Sequence, residues 1–155
     1  MITQLEHVAL SVSDLDRSVA FYRDALGFSL MRIIEPRDDE KLGAIIGMRG
    51  ARARIAHLRK GDNMLELFQY VLPVGRPVPP DKSQADIGMI HAGFRSSDVS
   101  ADFRRLQSLG VAFISEPVEF RPGVWVVYFR GPDGEVFELR QDDSLQPVGF
   151  DCVRT

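Results

Sequence analysis

The sequence predicts an α+β fold of two tandem βαβββ modules, and three observations carry that expectation. A segment repeats: HVALSVSDLDRSVAFYRDALGF, from His7, aligns with HAGFRSSDVSADFRRLQSLGV, from His91. Both copies close on a turn and a strand containing Glu-Leu, in GDNMLELFQY from Gly61 and PDGEVFELRQ from Pro132. A proline-rich stretch, LPVGRPVPPDKSQAD, separates the copies. The repeat is longer than the roughly 20–50-residue period of a solenoid, so it marks a duplicated module.

Each element follows in order. The copies open on short alternating apolar runs, which read as strands. Ser13-Asp14 matches Ser97-Asp98, and each aspartate offers a side-chain oxygen where the first N–H groups of a helix lack partners. Val19, Tyr22 and Leu26 recur at helical spacing in the first copy, Phe103 and Leu106 in the second. Gly27 and Gly110 follow a leucine and stop these helices in the left-handed conformation. RARIAHL and VWVVYF read as the strands before the last turns, whose Gly-Asp and Asp-Gly pairs are hairpin signals. His7 and Glu66 stand further apart than His91 and Glu138, which places an insertion in the first module at about 36–50, PRDDEKLGAIIGMRG. Within it, residues 38–46 suit a short helix with Leu42, Ile45 and Ile46 on one side, a flap near a cavity mouth or a cover for the sheet edge. The layout is then a first module at 1–70, a stiff linker at 71–87 built on Pro73, Pro77, Pro79 and Pro80, a second module at 88–141 and a tail at 142–155.

Composition excludes several function classes. The net charge is −3, with basic residues scattered apart from Arg49–Arg54, which reads as a solvated strand edge. No strong field invites nucleic acid or an anionic membrane. No apolar run approaches the roughly 18–20 residues needed to span a bilayer. The only cysteine, Cys152, cannot form an internal disulfide. The expectation is a cytoplasmic protein acting on a small molecule. No phosphate-binding glycine loop, Walker sequence or Ser/His/Asp arrangement occurs.

Four residues recur at equivalent places. His7 and His91 begin the first strands of their modules. Glu66 lies between Leu65 and Leu67, and Glu138 between Phe137 and Leu139, in the last strands. A strand residue points away from the face of its neighbours, so both carboxylates turn from the core, where they need a partner or a metal. Brought together by pseudo-twofold symmetry, these four make a two-histidine, two-carboxylate site for one divalent ion, with Ni, Co, Zn, Mn and Fe all candidates. The competing reading is four unrelated polar residues, which makes the matched placement an accident.

On HVALSVSDLDRSVAFYRDALGF, LELF, IHAGFRSSDV and RGPDGEVFEL, the chain resembles the vicinal oxygen chelate superfamily: the glyoxalases, methylmalonyl-CoA epimerases and extradiol dioxygenases. The resemblance implies a cup-shaped mixed sheet, the glyoxalase-like fold, around one metal held by His7, Glu66, His91 and Glu138. It also implies a metal-dependent isomerase or lyase of the glyoxalase or epimerase type. Such an enzyme abstracts a proton next to a carbonyl and the metal stabilises the enediolate. Glu138 is the first candidate base and Glu66 the second. The alternatives are an Fe(II)- or Mn(II)-dependent ring-cleaving dioxygenase, against which the carboxylate at Glu66 argues, and a non-catalytic small-molecule binding or resistance protein. Relatives pair, so a homodimer is expected.

Four weaker candidates complete the reading. A two-residue turn at Gly61-Asp62 pairs His57 with Glu66 and puts both on the cavity face; a three-residue turn sends His57 outward. Trp125 and Tyr128, with Phe129, line the cavity or belong to the core. Arg121, in a loop before Pro122-Gly123, holds a substrate carboxylate or is an ordinary surface arginine.

Overall fold

A computed structural model describes residues 1–37 and 40–144. Cys152, the start of the inserted helix at Asp38 and most of the 142–155 tail lie outside the described residues. The chain divides into two units, Met1–Lys82 and Ser83–Thr155. The first runs β1 (His7–Ser11), α1 (Leu15–Asp24), β2 (Ser29–Ile34), α2 (Lys41–Ile46), β3 (Arg52–Lys60) and β4 (Asn63–Leu72). Its sheet has the order β1-β4-β3-β2, with β1 parallel to β4 and the other pairs antiparallel. The second runs β5 (Ala92–Arg95), α3 (Val99–Ser108), β6 (Val118–Arg121), β7 (Val124–Arg130) and β8 (Val136–Asp142). Its sheet repeats the pattern as β5-β8-β7-β6. This is the expected pair of βαβββ modules, with α2 inserted in the first.

Local chemistry explains the helices. Asp14 Oδ1 accepts from the Arg17 N–H at 3.0 Å, and Asp98 Oδ1 from the Ala101 N–H at 2.8 Å. Gly27 and Gly110 follow with φ of 73° and 82°, where a glycine avoids the Cβ penalty. A second cap is also duplicated. Gln69 Oε1 accepts from the Leu15 N–H, and Gln141 Oε1 from the Val99 N–H, so the strand carrying each glutamate is tied to the first turn of its own helix. Replacing Asp98 by alanine should cost about 1 kcal/mol of stability, read as a lower urea midpoint at unchanged slope.

The helices cover one face of each sheet. Leu15, Val19 and Tyr22 of α1 are buried, as are Ala56, Leu58, Leu65 and Leu67 of the strands it contacts. In the second unit Val99, Phe103 and Leu106 of α3 are buried, with Val127, Phe129, Phe137 and Leu139 of the sheet. Phe113 bridges the helix and the sheet there, with ring centroids 4.5 Å from Phe103 and 5.8 Å from Phe129. The opposite faces are left to Glu66 and Glu138.

Several expectations are corrected in detail. In α2, Leu42 and Ile45 line one pocket with Ile34 and Ile55, as a shared side requires, although Ile45 is 81% exposed. The residue buried in α2 is Gly43, where an added Cβ would lie 2.6 Å from the Met48 carbonyl oxygen. β4 continues through Leu72, past residue 70. The Arg49–Arg54 patch is not a solvated edge, because β3 lies between β4 and β2. Arg54 pairs there with Asp16 and Glu35. Among the described residues no helix is long and apolar enough to cross a membrane.

Candidate functional site

Register sets the candidate group of the first unit. The hairpin joins Lys60 to Asn63 through the two-residue turn Gly61-Asp62, and Gly61 supplies the positive φ, 59°, that such a turn needs at its first position. That turn puts His57 directly opposite Glu66. Glu66 stands between two histidines: His57 Nε2 is 3.1 Å from Oε1, and His7 Nε2 is 3.3 Å from Oε2. His57 has a further partner, since Arg32 donates from Nε to its Nδ1 at 3.2 Å. A nitrogen that accepts carries no proton, so the ring hydrogen sits on Nε2, facing the carboxylate. Burial lowers the pKa of His57 against the raising effect of Glu66, with Arg32 and His7 adding to the lowering, so the neutral ring is favoured.

The second unit carries a group built alike but furnished differently. His91 lies one residue before β5 rather than in it, because pairing with β8 begins at Ala92. Its Nε2 is 3.7 Å from Glu138 Oε2. Its Nδ1 is buried without a hydrogen-bond partner among the described residues. The residue opposite Glu138 is Tyr128, the positional counterpart of His57. Its ring tilts against His91, centroids 5.0 Å apart. Burial, and then the charge of Glu138, raise the pKa of Tyr128, so its hydroxyl stays protonated. Beside Glu138 on β5 is Gly93, where the first module has Ala9 beside Glu66.

The remaining candidates fall elsewhere. Trp125 is three residues from Tyr128 on one strand, so alternation puts it on the opposite face, with Val127 and Phe129. It does not share the Glu138 face, and Phe129 is fully buried in the core. Arg121 ends β6 rather than occupying a loop, and its Nη2 is 3.3 Å from Asp142 Oδ2. Asp142 also receives Arg140 Nη2 at 2.7 Å, and the hydroxyl and amide of Ser144 at 2.6 and 3.1 Å. The Ser144 hydroxyl foremost, then Arg140, push its carboxyl from the ordinary 3.8 down to about 2 against the raising effect of burial. A depressed carboxyl contributes stability that is fully present above its unfolded value and is lost as the pH falls through its folded value. Asp142→Asn should therefore be less stable than the parent at pH 7, with the difference closing between pH 3.8 and about 2. Parallel urea titrations across that range check it; a gap that does not change with pH would remove the assignment.

Arg32 is the residue that sequence reasoning missed. β2 slips register against β3 between Leu30 and Arg32, so no pattern of alternation pointed to it. Among the described residues no group of three or more His, Cys, Asp or Glu side chains is already gathered for a metal ion. What each unit does provide is one imidazole nitrogen and one carboxylate oxygen, 3.3 and 3.7 Å apart. Neighbouring ligands on a first-row divalent ion, with bonds of ~2.0–2.2 Å, stand ~3–3.5 Å from each other. The first pair fits that edge and the second is slightly wide. Among the described residues no hydrogen bond to His91 Nδ1 competes for this ring.

The Glyoxalase/Bleomycin resistance protein/Dioxygenase superfamily model matches residues 4–139. The chain belongs to this superfamily. Among members, a 2-epi-5-epi-valiolone epimerase of Actinomyces sp is 34% identical over 87% of this chain and 77% of its own length. The uncharacterised protein YaeR of Escherichia coli (strain K12) is 29% identical over 89% and 95%. A crystal structure of a glyoxalase family protein from Bacillus cereus superposes with a TM-score of 0.81 at 20% identity, covering 92% of this chain and 96% of that one. That likeness establishes the superfamily fold. The α+β architecture expected from the internal repeat is the architecture these neighbours have.

Proposed function

We propose that this superfamily member is a divalent-metal-dependent isomerase or lyase that moves a proton next to a substrate carbonyl. The observation that carries the reading is the duplicated His–Glu pair, His7 with Glu66 and His91 with Glu138, at equivalent places in the two modules. Two neutral nitrogens and two carboxylates balance the charge of a divalent ion of the Ni, Co, Zn, Mn or Fe type. When bound, such an ion supplies Lewis acidity at the substrate carbonyl oxygen.

The protein's own residues supply the rest. His7, Glu66 and His91 hold and orient. Glu138 takes the proton from the carbon and returns it, to the other face in an epimerisation or to the neighbouring carbon in an isomerisation. Tyr128 stays protonated beside His91 and packs the ring in place. The Actinomyces relative, an epimerase, supports the isomerase branch of this reading.

The test is metal analysis of protein purified without chelator, followed by a panel of 2-oxoaldehyde adducts, 2-methylacyl thioesters, polyhydroxylated ketones and catechols. About one divalent ion per chain and proton exchange next to a carbonyl support the proposal. Oxygen consumption with a catechol would replace it with the dioxygenase reading. The same preparation tests a homodimer, which exposed apolar side chains on edge strands support: Met31 and Ile33 on β2, Val118 and Phe120 on β6. A monomeric mass by light scattering at micromolar concentration would remove it.

A further inference from the structure

We infer that His57 and Arg32 form a positioning pair that fixes the Glu66 carboxylate, His57 facing Oε1 so that Oε2 alone is presented toward His7. The inference rests on the reading that Glu66 is a metal ligand, and goes beyond it by giving a third histidine a role other than ligation. Three distances carry it: Arg32 Nε to His57 Nδ1 at 3.2 Å, His57 Nε2 to Glu66 Oε1 at 3.1 Å, and His7 Nε2 to Glu66 Oε2 at 3.3 Å.

The chemistry runs outward to inward. Arg32 has N–H donors and no acceptor, so it engages only the unprotonated nitrogen of His57. The proton is thereby confined to Nε2, and a nitrogen bearing a proton is not a metal ligand. His57 consequently presents an N–H to one carboxylate oxygen and leaves the other its lone pairs. A carboxylate held at one oxygen is a one-oxygen ligand with a defined direction, which is how outer partners tune metal sites.

The second module shows what the pair adds. Tyr128 occupies the position of His57, and the Glu138 carboxylate accepts no hydrogen bond among the described residues. Gly93 beside it leaves open a place where a Cβ would lie 3.1 Å from Glu138 Oε2. Glu66 has two histidine nitrogens within 3.3 Å and Glu138 has one at 3.7 Å, so the two glutamates are equivalent in position and unlike in support.

The experiment uses full-length protein stripped of metal, labelled with 15N at histidine, and titrated with Zn²⁺ alone. The expected result is that His57 shows the Nε2–H tautomer before and after Zn²⁺, while the His7 and His91 signals shift on binding. His57→Phe should weaken Zn²⁺ binding roughly 10-fold, with His57→Gln, which keeps an N–H donor, recovering part of the loss. Arg32→Gln should allow His57 a mixture of tautomers with unchanged circular dichroism, a signature that a purely structural role would not give. A His57 signal that loses its Nε2 proton and shifts with those of His7 and His91 would make His57 a ligand and overturn the inference. If none of the three histidines responds to Zn²⁺, the metal reading itself fails and the inference falls with it, by a different signature.

Discussion

Glu138→Gln should lower turnover roughly 10²–10⁴-fold, the range that a positioned general base contributes, while bound metal falls only in part. The amide matches the carboxylate in shape and keeps one oxygen for ligation, but it cannot hold a proton taken from carbon. The surroundings of Glu138 permit the exchange. Its side chain is 18% exposed, it accepts no hydrogen bond among the described residues, and its near neighbour is His91 Nε2 at 3.7 Å. No buried donor is left without a partner by the substitution, so the fold should be unaffected. The readouts are kcat on whichever panel substrate the parent turns over, wash-in of solvent deuterium at the carbon next to the carbonyl, and metal content by mass spectrometry of the same samples. Loss of metal in proportion to activity would make Glu138 a ligand without a base role. Retained exchange at the parent rate would move the base to another residue.

The Glu66 counterpart should behave otherwise. Glu66 sits between His7 and His57, both within 3.3 Å of its oxygens. Removing its charge disturbs both histidines, so Glu66→Gln should affect metal binding at least as much as turnover. The two glutamates stand in matching positions, and what separates them is the neighbour across the hairpin: His57 in one, Tyr128 in the other.

That contrast marks how far the sequence could be read. The repeat made the architecture legible, because Asp14 and Asp98 cap helices, Gly27 and Gly110 end them, and both Glu-Leu strands alternate with the core on one side. The pairing of His57 with Glu66 stood open between a two-residue and a three-residue turn, and the Lys60–Asn63 pairing decides it. Arg32 was illegible because a bulge in β2 breaks the alternation that would have aimed it. Trp125 stood open between cavity and core because the aromatics of one strand were read as a group; residues three apart in a strand face opposite ways. Gln69 and Gln141 were visible as a repeated letter, three residues after each glutamate, but what they bond depends on how each helix folds back on its sheet. Arg121 reads as a free loop cation until β6 and β8 bring it to Asp142.

Replacing His7 or His91 by alanine should weaken divalent-metal binding by ~10²-fold or more, beyond the 10- to 100-fold that loss of an outer partner costs. Each change removes one neutral nitrogen donor from the proposed ligand set, and with it the bond that donor would make to the ion. The two substitutions differ in what else they disturb. His7 is the more exposed, 35% against 23% for His91, and its Nδ1 is 3.3 Å from the exposed Glu6. Glu6→Gln is therefore the control: it alters a contact of the ring and leaves Nε2 in place, so its effect should be smaller than that of His7→Ala. His91 packs against Tyr128, and its removal opens space beside that ring. His91→Ala should thus also lower the urea midpoint, whereas His7→Ala should leave it nearly unchanged in the metal-free protein. Competition titrations with a chromophoric chelator give the affinities, and circular dichroism of the metal-free forms separates ligand loss from unfolding. Parent-like affinity in both alanine variants would return His7 and His91 to the bland role of half-buried histidines at the starts of two matching modules.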